Sequence, residues 1–260
     1  MTRFVAAIGV AVLAAGVSPA AVKTETIEYE FGGTKMRGFL AFDDTTKEKK
    51  PGVLVVHEWW GLNDYAKDRA RQLAELGYVA FAADLYGDAK LVTTQDEARD
   101  QATALRKDAK VWRGRAEAAL KVLATRPEVD ATKLAAMGYC LGGSTALQLA
   151  YAGADLKAVA TFHAALPTPT EAEAKAIKPR IAVFHGEADK FIPEKSIADF
   201  RAALDKAGVK YTFESYPGVV HSFTTKDADK VGNPGMKYDK NADEKSWAGM
   251  KELFKATLGK

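Results

Sequence analysis

The chain has 260 residues, of which 47% are hydrophobic, 27% charged and 10% aromatic, a composition that excludes a disordered or low-complexity protein. Its net charge of +3 comes from scattered basic residues, which argues against nucleic acid as a partner. A single cysteine excludes an intramolecular disulfide and any multi-cysteine zinc site, so if this residue acts, it acts as a thiol.

Residues 1–20 read as a cleavable export signal. Arg3 supplies a positive start, residues 4–17 form an unbroken apolar run, and Ser18-Pro19-Ala20 offers the small residues a signal peptidase reads. The run is shorter than the roughly 20 residues of a membrane span. The expectation is an exported chain, periplasmic or secreted, with no stable membrane association after cleavage. Residues 21–260 then form one domain, expected to be a monomer.

After the signal, strands and helices alternate. Residues 24–31 and 35–42 read as an edge hairpin turning at Gly32-Gly33. Residues 53–56 are a continuous apolar run, the mark of a strand covered on both faces. Asn63 caps a helix whose Ala66, Ala70, Leu73 and Ala74 recur at helical spacing up to Gly77. Residues 78–83 form the next strand. Thr94-Gln95-Asp96-Glu97 is a capping box that opens one long helical region running to Arg126-Pro127. Strands follow at 134–138, 156–162, 181–185 and 211–216, with helices at 145–152, 196–207 and 245–258. Repeated strand–helix units predict a mostly parallel central sheet with helices on both faces, in a single domain.

In such sheets, chemistry collects in the loops beyond the carboxyl ends of the strands. Gly138-Tyr139-Cys140-Leu141-Gly142-Gly143 joins an apolar strand to an apolar helix. A nucleophile there sits on a sharp turn, with small residues beside it where strand and helix pass closely. With 21 Gly in 260 residues, chance puts Gly at both flanking positions about 0.7% of the time, so the pattern favours a functional Cys140 over an inert one.

A nucleophile needs a base, and the base needs an orienting carboxylate. Asp189 and His221 follow strand ends in the chain order nucleophile, acid, histidine. Of the four histidines, His185 reads as structural, His163 as a residue able to line the pocket, and His221 as the base. The polar loop 225–243 is expected to wall the pocket or to be a plain solvated connection.

These residues resemble the dienelactone hydrolase family of α/β-hydrolases, over roughly residues 23–258. The motifs are His57-Glu58-Trp59-Trp60-Gly61-Leu62-Asn63, Asp84-Leu85-Tyr86-Gly87, the Cys140 elbow, Gly186-Glu187-Ala188-Asp189 and His221-Ser222-Phe223. The resemblance implies an α/β-hydrolase fold, a Cys140–Asp189–His221 triad, and no metal or organic cofactor. It implies that Glu58 contacts the resting thiol and helps form the thiolate, and that the backbone N–H groups of Leu141 and Trp59 make an oxyanion hole. Trp60, Tyr86 and Lys90 are candidate substrate contacts.

One departure bears on the substrate. Family members carry arginines shortly after the Asp-Leu-Tyr motif and after the triad histidine, where they hold a substrate carboxylate. Here those stretches read Gly87-Asp88-Ala89-Lys90 and Ser222-Phe223-Thr224-Thr225, so a neutral small-molecule ester or lactone is the expected substrate. The activity implied is carboxylic ester or lactone hydrolysis through an acyl-cysteine. The alternatives are a thiol-redox protein, which lacks a second cysteine to resolve its disulfide, and a non-catalytic ligand-binding descendant.

Overall fold

The computed structural model describes residues 22–259. The expected export signal at 1–20 lies outside the described residues.

The elements in chain order are β1 (Val22–Phe31), β2 (Thr34–Asp43), β3 (Lys50–Val56), α1 (Asp64–Glu75), β4 (Val79–Ala83), α2 (Gln95–Lys107), α3 (Ala109–Ala124), β5 (Val129–Tyr139), α4 (Leu141–Tyr151), β6 (Ala158–Phe162), α5 (Glu171–Ala176), β7 (Arg180–Gly186), α6 (Glu194–Ala207), β8 (Tyr211–Tyr216) and α7 (Lys240–Leu258). The eight strands make one sheet in the order β1-β2-β4-β3-β5-β6-β7-β8. The hairpin β1–β2 is antiparallel and joins antiparallel to β4, while every later pairing is parallel.

Strand alternation explains the two cores. Leu54 and Val56 of β3 pack on one face with Trp112, Leu147 and Phe200, and Val53 and Val55 pack on the other with Leu73, Met250 and Phe254. Successive side chains of a strand point to opposite faces, so a strand buried on both must be apolar throughout. All seven residues of β3 are buried. The hairpin at the edge alternates instead: β1 has the pattern of a strand wetted on one side.

Two expectations are corrected. The helical region 94–126 is two helices, because Asp108 is extended (φ −115°, ψ 92°) and turns its carboxylate onto the N–H groups of Lys110 and Val111. An aspartate that caps the following turn competes with helix continuation. The short α5 went unread, although Thr170 and Glu173 form a full capping box at its start. Elsewhere the expected elements shift only at their ends, as in β5, which begins at Val129.

Parallel strands β3 to β8 all point their carboxyl ends to one edge. The segments that follow them carry Glu58, Asp84, Cys140, His163, Asp189 and His221, so the sheet alone gathers these residues.

Candidate active site

Cys140 sits on the turn between β5 and α4 with φ 51° and ψ −113°, a left-handed φ that a non-glycine residue adopts only when its surroundings hold it there. The surroundings here are two glycines. A Cβ on Gly142 would lie 2.1 Å from the Val56 carbonyl oxygen, and one on Gly138 would lie 2.2 Å from the Gly142 backbone. Helix α4 therefore presses against the end of β3, and the thiol is lifted to the sheet edge at the helix N-terminus, where negative charge is favoured.

Asp189 and His221 meet there. His221 Nδ1 donates to Asp189 Oδ2 at 2.7 Å, and the second carboxylate oxygen accepts from the Phe191 N–H at 2.9 Å. Nδ1 thus carries the proton, and Nε2 is left for the Cys140 side, where the sulfur acts electrostatically on the ring. Burial opposes a charged imidazole, but the Cys140 sulfur and the Asp189 carboxylate outweigh it and push His221 up to about 10. The 225–243 loop holds the histidine by its backbone: His221 N–H donates to the Gly235 carbonyl at 3.1 Å and its own carbonyl accepts from the Lys237 N–H at 3.0 Å. The loop is in turn bolted to α1, since buried Arg69 pairs with Asp243 and donates to the Thr224 carbonyl.

Glu58 is buried at 2% exposure, and burial raises its carboxyl above the usual range. Its oxygens accept from the Ser222 hydroxyl at 3.4 Å and the Thr225 hydroxyl at 3.3 Å, both just after His221. The hydrogen bonds of Glu58 are thus made to Ser222 and Thr225, and among the described residues none joins it to the Cys140 thiol.

The four histidines separate by their bonds. His57 accepts the Leu85 N–H at Nε2 (3.2 Å), so Nδ1 bears the proton and donates to the Glu58 carbonyl. Burial holds it below the ordinary histidine range. His163 bonds the Thr224 hydroxyl at 2.8 Å and packs edge-on to His221, with ring centroids 4.9 Å apart. Burial and the neighbouring His221 keep it well below its usual range, so it is neutral. His185 is buried against Phe213, in keeping with a structural part.

A cavity of about 210 Å³ lies against Cys140 and His221, walled by Trp59, Arg106, Phe191, Ile192 and Met236 among others. Of the aromatic candidates, Trp59 reaches this wall. Tyr86 instead donates its hydroxyl to the Trp59 carbonyl at 2.8 Å, and Trp60 packs edge-on to Trp59 at 5.1 Å. Lys90 is exposed and is not part of the wall. Asp84, in the same motif, is fully buried and accepts four backbone N–H groups, from Arg37, Tyr86, Gly87 and Ala89. Its part is to shape that loop. Arg106, Phe191 and Met236 carry no motif signal in the sequence, and only the folding of helix α2 and two separate loops brings them together. Among the described residues, no cluster of three His, Cys, Asp or Glu side chains is placed to hold a metal.

Comparison with known proteins places this arrangement. The dienelactone hydrolase family model matches residues 36–258. The structure of m3DLH is 41% identical over 92% of this chain and 99% of its own, with a TM-score of 0.89. A dienelactone hydrolase-like promiscuous phosphotriesterase from metagenomic libraries is 37% identical over the same shares, also at 0.89. An Aquifex aeolicus protein provisionally named carboxymethylenebutenolidase is 30% identical over 81% of this chain and 91% of its own. The family match runs from β2 to the end of α7 and so takes in every segment that lines the site, and the chain belongs to the dienelactone hydrolase family.

Proposed function

We propose that this protein hydrolyses a small carboxylic ester or lactone through a Cys140–His221–Asp189 triad and an acyl-cysteine intermediate. The observation that carries the reading is the Asp189–His221 bond of 2.7 Å, with Cys140 beside the same imidazole on the wall of a shared cavity.

The steps follow from that alignment. The Cys140 sulfur, as thiolate, attacks the carbonyl carbon, and the carbonyl oxygen takes up the negative charge between the N–H groups of Trp59 and Leu141. The Leu141 N–H is one of the first in α4 and so has no partner within the helix. Collapse of the tetrahedral species breaks the ester C–O bond, and protonated His221 gives its proton to the leaving alkoxide. Neutral His221 then takes a proton from water, whose oxygen attacks the thioester; loss of Cys140 thiolate frees the acid. Asp189 holds the Nδ1–H tautomer and stabilises the imidazolium in both halves.

Glu58 stands beside this path as a buried carboxyl held by Ser222 and Thr225. Its raised affinity for a proton suits it to take one from the thiol if Cys140 turns toward it on substrate binding.

The test is burst kinetics on p-nitrophenyl acetate with Cys140→Ala beside the wild type. A burst of one p-nitrophenol per chain that is lost in the variant supports the reading. A burst that survives in Cys140→Ala, or no turnover above the variant on any aryl ester, overturns it.

A further inference from the structure

The cavity at Cys140 is too small for much more than the reacting acyl group. Its 210 Å³ compares with about 150 Å³ for a cavity that holds one benzene. It has a close neighbour, however. A second, more open cleft of about 350 Å³ shares Arg106, Ala165 and Ile192 with it. That cleft is framed mainly by apolar groups: Trp112 from α3, Leu166 and Pro167 from the segment after β6, and Ile192 and Pro193 before α6, with the Ser144 and Ser196 hydroxyls at its border.

Its wall is fixed by bonds that leave the apolar surfaces facing inward. Trp112 donates its indole N–H to the Thr145 hydroxyl at 2.7 Å, Ser144 donates to the Ala165 carbonyl at 2.7 Å, and Ser196 donates to the Pro193 carbonyl at 2.7 Å. The polar groups are thus occupied within the protein, and a ligand here meets hydrocarbon. Arg106 lines both spaces. Its guanidinium is exposed, and among the described residues it has no ion pair and no hydrogen bond, whereas Arg69, Arg113 and Arg126 all have acidic partners.

We propose that the cleft is a second substrate subsite, so that the substrate is an elongated ester whose carbonyl sits at Cys140, whose apolar arm lies between Trp112 and Ile192, and whose negatively charged group faces Arg106. This rests on the ester-hydrolase reading above and gives it a substrate class. It also supplies an arginine, from helix α2, that the two motif stretches lack. The occupant is an arm of the substrate because Arg106, Ala165 and Ile192 line both the cleft and the cavity beside Cys140, so a molecule bound across both places its reacting carbonyl at Cys140.

The purified protein is assayed on p-nitrophenyl esters from acetate to octanoate and on n-alkyl acetates from ethyl to octyl, with Cys140→Ala as the blank. Each methylene moved from water into an apolar site contributes about a fourfold gain when fully buried. The expected result is a rise in kcat/KM of about two- to fourfold per methylene over at least three carbons in one of the two series. The series that rises identifies which half of the ester enters the cleft. Flat or falling profiles in both, with turnover well above the blank, overturn the subsite and leave the hydrolase reading standing. No turnover above the blank on any ester overturns both.

Two variants test the assignment of the cleft. Ser196→Trp narrows its border and should remove most of the chain-length gain, while Ser196→Ala keeps it; an equal gain in both overturns the placement. For the charge, p-nitrophenyl hemiadipate is compared with p-nitrophenyl hexanoate. Arg106→Gln should lower the ratio of their kcat/KM values by about 5- to 20-fold, and salt should lower it in the wild type. A ratio untouched by Arg106→Gln overturns the anion contact.

Discussion

The imidazole of His57 donates its Nδ1 proton to the backbone carbonyl of Glu58, and that carbonyl belongs to the same peptide plane as the Trp59 N–H. Because Nε2 accepts from Leu85, the ring is pinned between the ends of β3 and β4. His57 is therefore a positioning residue for one of the two proposed oxyanion donors. Its ring is fully buried.

Loss of a whole oxyanion donor typically costs about 10²–10³ in kcat. Removing only the group that orients one should cost less. His57→Leu is expected to lower kcat by about tenfold with KM within twofold, and to destabilise the fold by about 1–3 kcal/mol through the unpaired Leu85 N–H. A stability loss with kcat intact would mean that His57 serves the fold alone.

Glu58 should make stability depend on pH in the direction opposite to most carboxylates. Its folded proton affinity is raised by burial, so between the unfolded value and the folded one the native state binds more protons than the unfolded state. Stability from this group is present below about pH 4.3 and is lost as pH rises through the folded value. Glu58→Gln, which stays neutral, is expected to melt about 2–4 °C above the wild type at pH 8, with the gap closing as pH falls toward 4.5. Thermal melts of the pair across that range decide it; a gap that widens at low pH would contradict the buried-acid account.

His221 provides the converse case. Its value is pushed up to about 10 despite burial, with Cys140 as the leading cause of the rise. Stability from the imidazolium is complete below about pH 6.5 and lost as pH rises through about 10. Cys140→Ala should bring the His221 titration down by at least a unit, and the stability of the two proteins should converge as pH rises from 6.5 to 10. Nitrogen-15 shifts of the ring report the titration directly. An unchanged midpoint in the variant would remove the sulfur as the cause.

The elbow leaves no room for a side chain at Gly142. Gly142→Ala places a methyl carbon 2.1 Å from the Val56 carbonyl oxygen, a backbone atom that cannot rotate away. Overpacking a core usually costs about 1–3 kcal/mol, and a clash with backbone belongs above that range. The variant is expected to melt about 10 °C lower and to lose the acyl burst. Normal melting with a normal burst would show that α4 can shift without cost.

Export is tested separately from catalysis. Cell fractionation with intact-mass analysis should find the chain outside the cytoplasm and beginning near Ala21 or Val22. An unprocessed cytoplasmic chain beginning at Met1 or Thr2 would overturn this.

Much of the fold was readable because its signals are local. The apolar run before His57 declares a strand buried on both faces, Asn63 and Thr94 declare helix starts, and the small residues around Cys140 declare a turn too tight for side chains. Each is a property of a few consecutive residues, so no partner has to be known. Sequence order likewise singled out Asp189 and His221, since a carboxylate and a histidine just beyond parallel strands lie at one sheet edge whatever the details of the packing.

Tertiary structure alone decided the rest, for the same physical reason in reverse. Arg106 reaches the Cys140 cavity because α2 ends and α3 begins at Asp108, a break whose position depends on one side chain capping the next turn. Met236 enters the wall because the loop after β8 hydrogen-bonds back along His221. Glu58 accepts from two hydroxyls because Ser222 and Thr225, in the loop after β8, lie against the end of β3. These contacts join residues distant in sequence, and their formation turns on distances of a few ångströms that no local pattern encodes. Sequence by itself determined the strand–helix alternation and the place of Cys140 on its turn; packing decided the cavity walls and the hydrogen-bond partners around it.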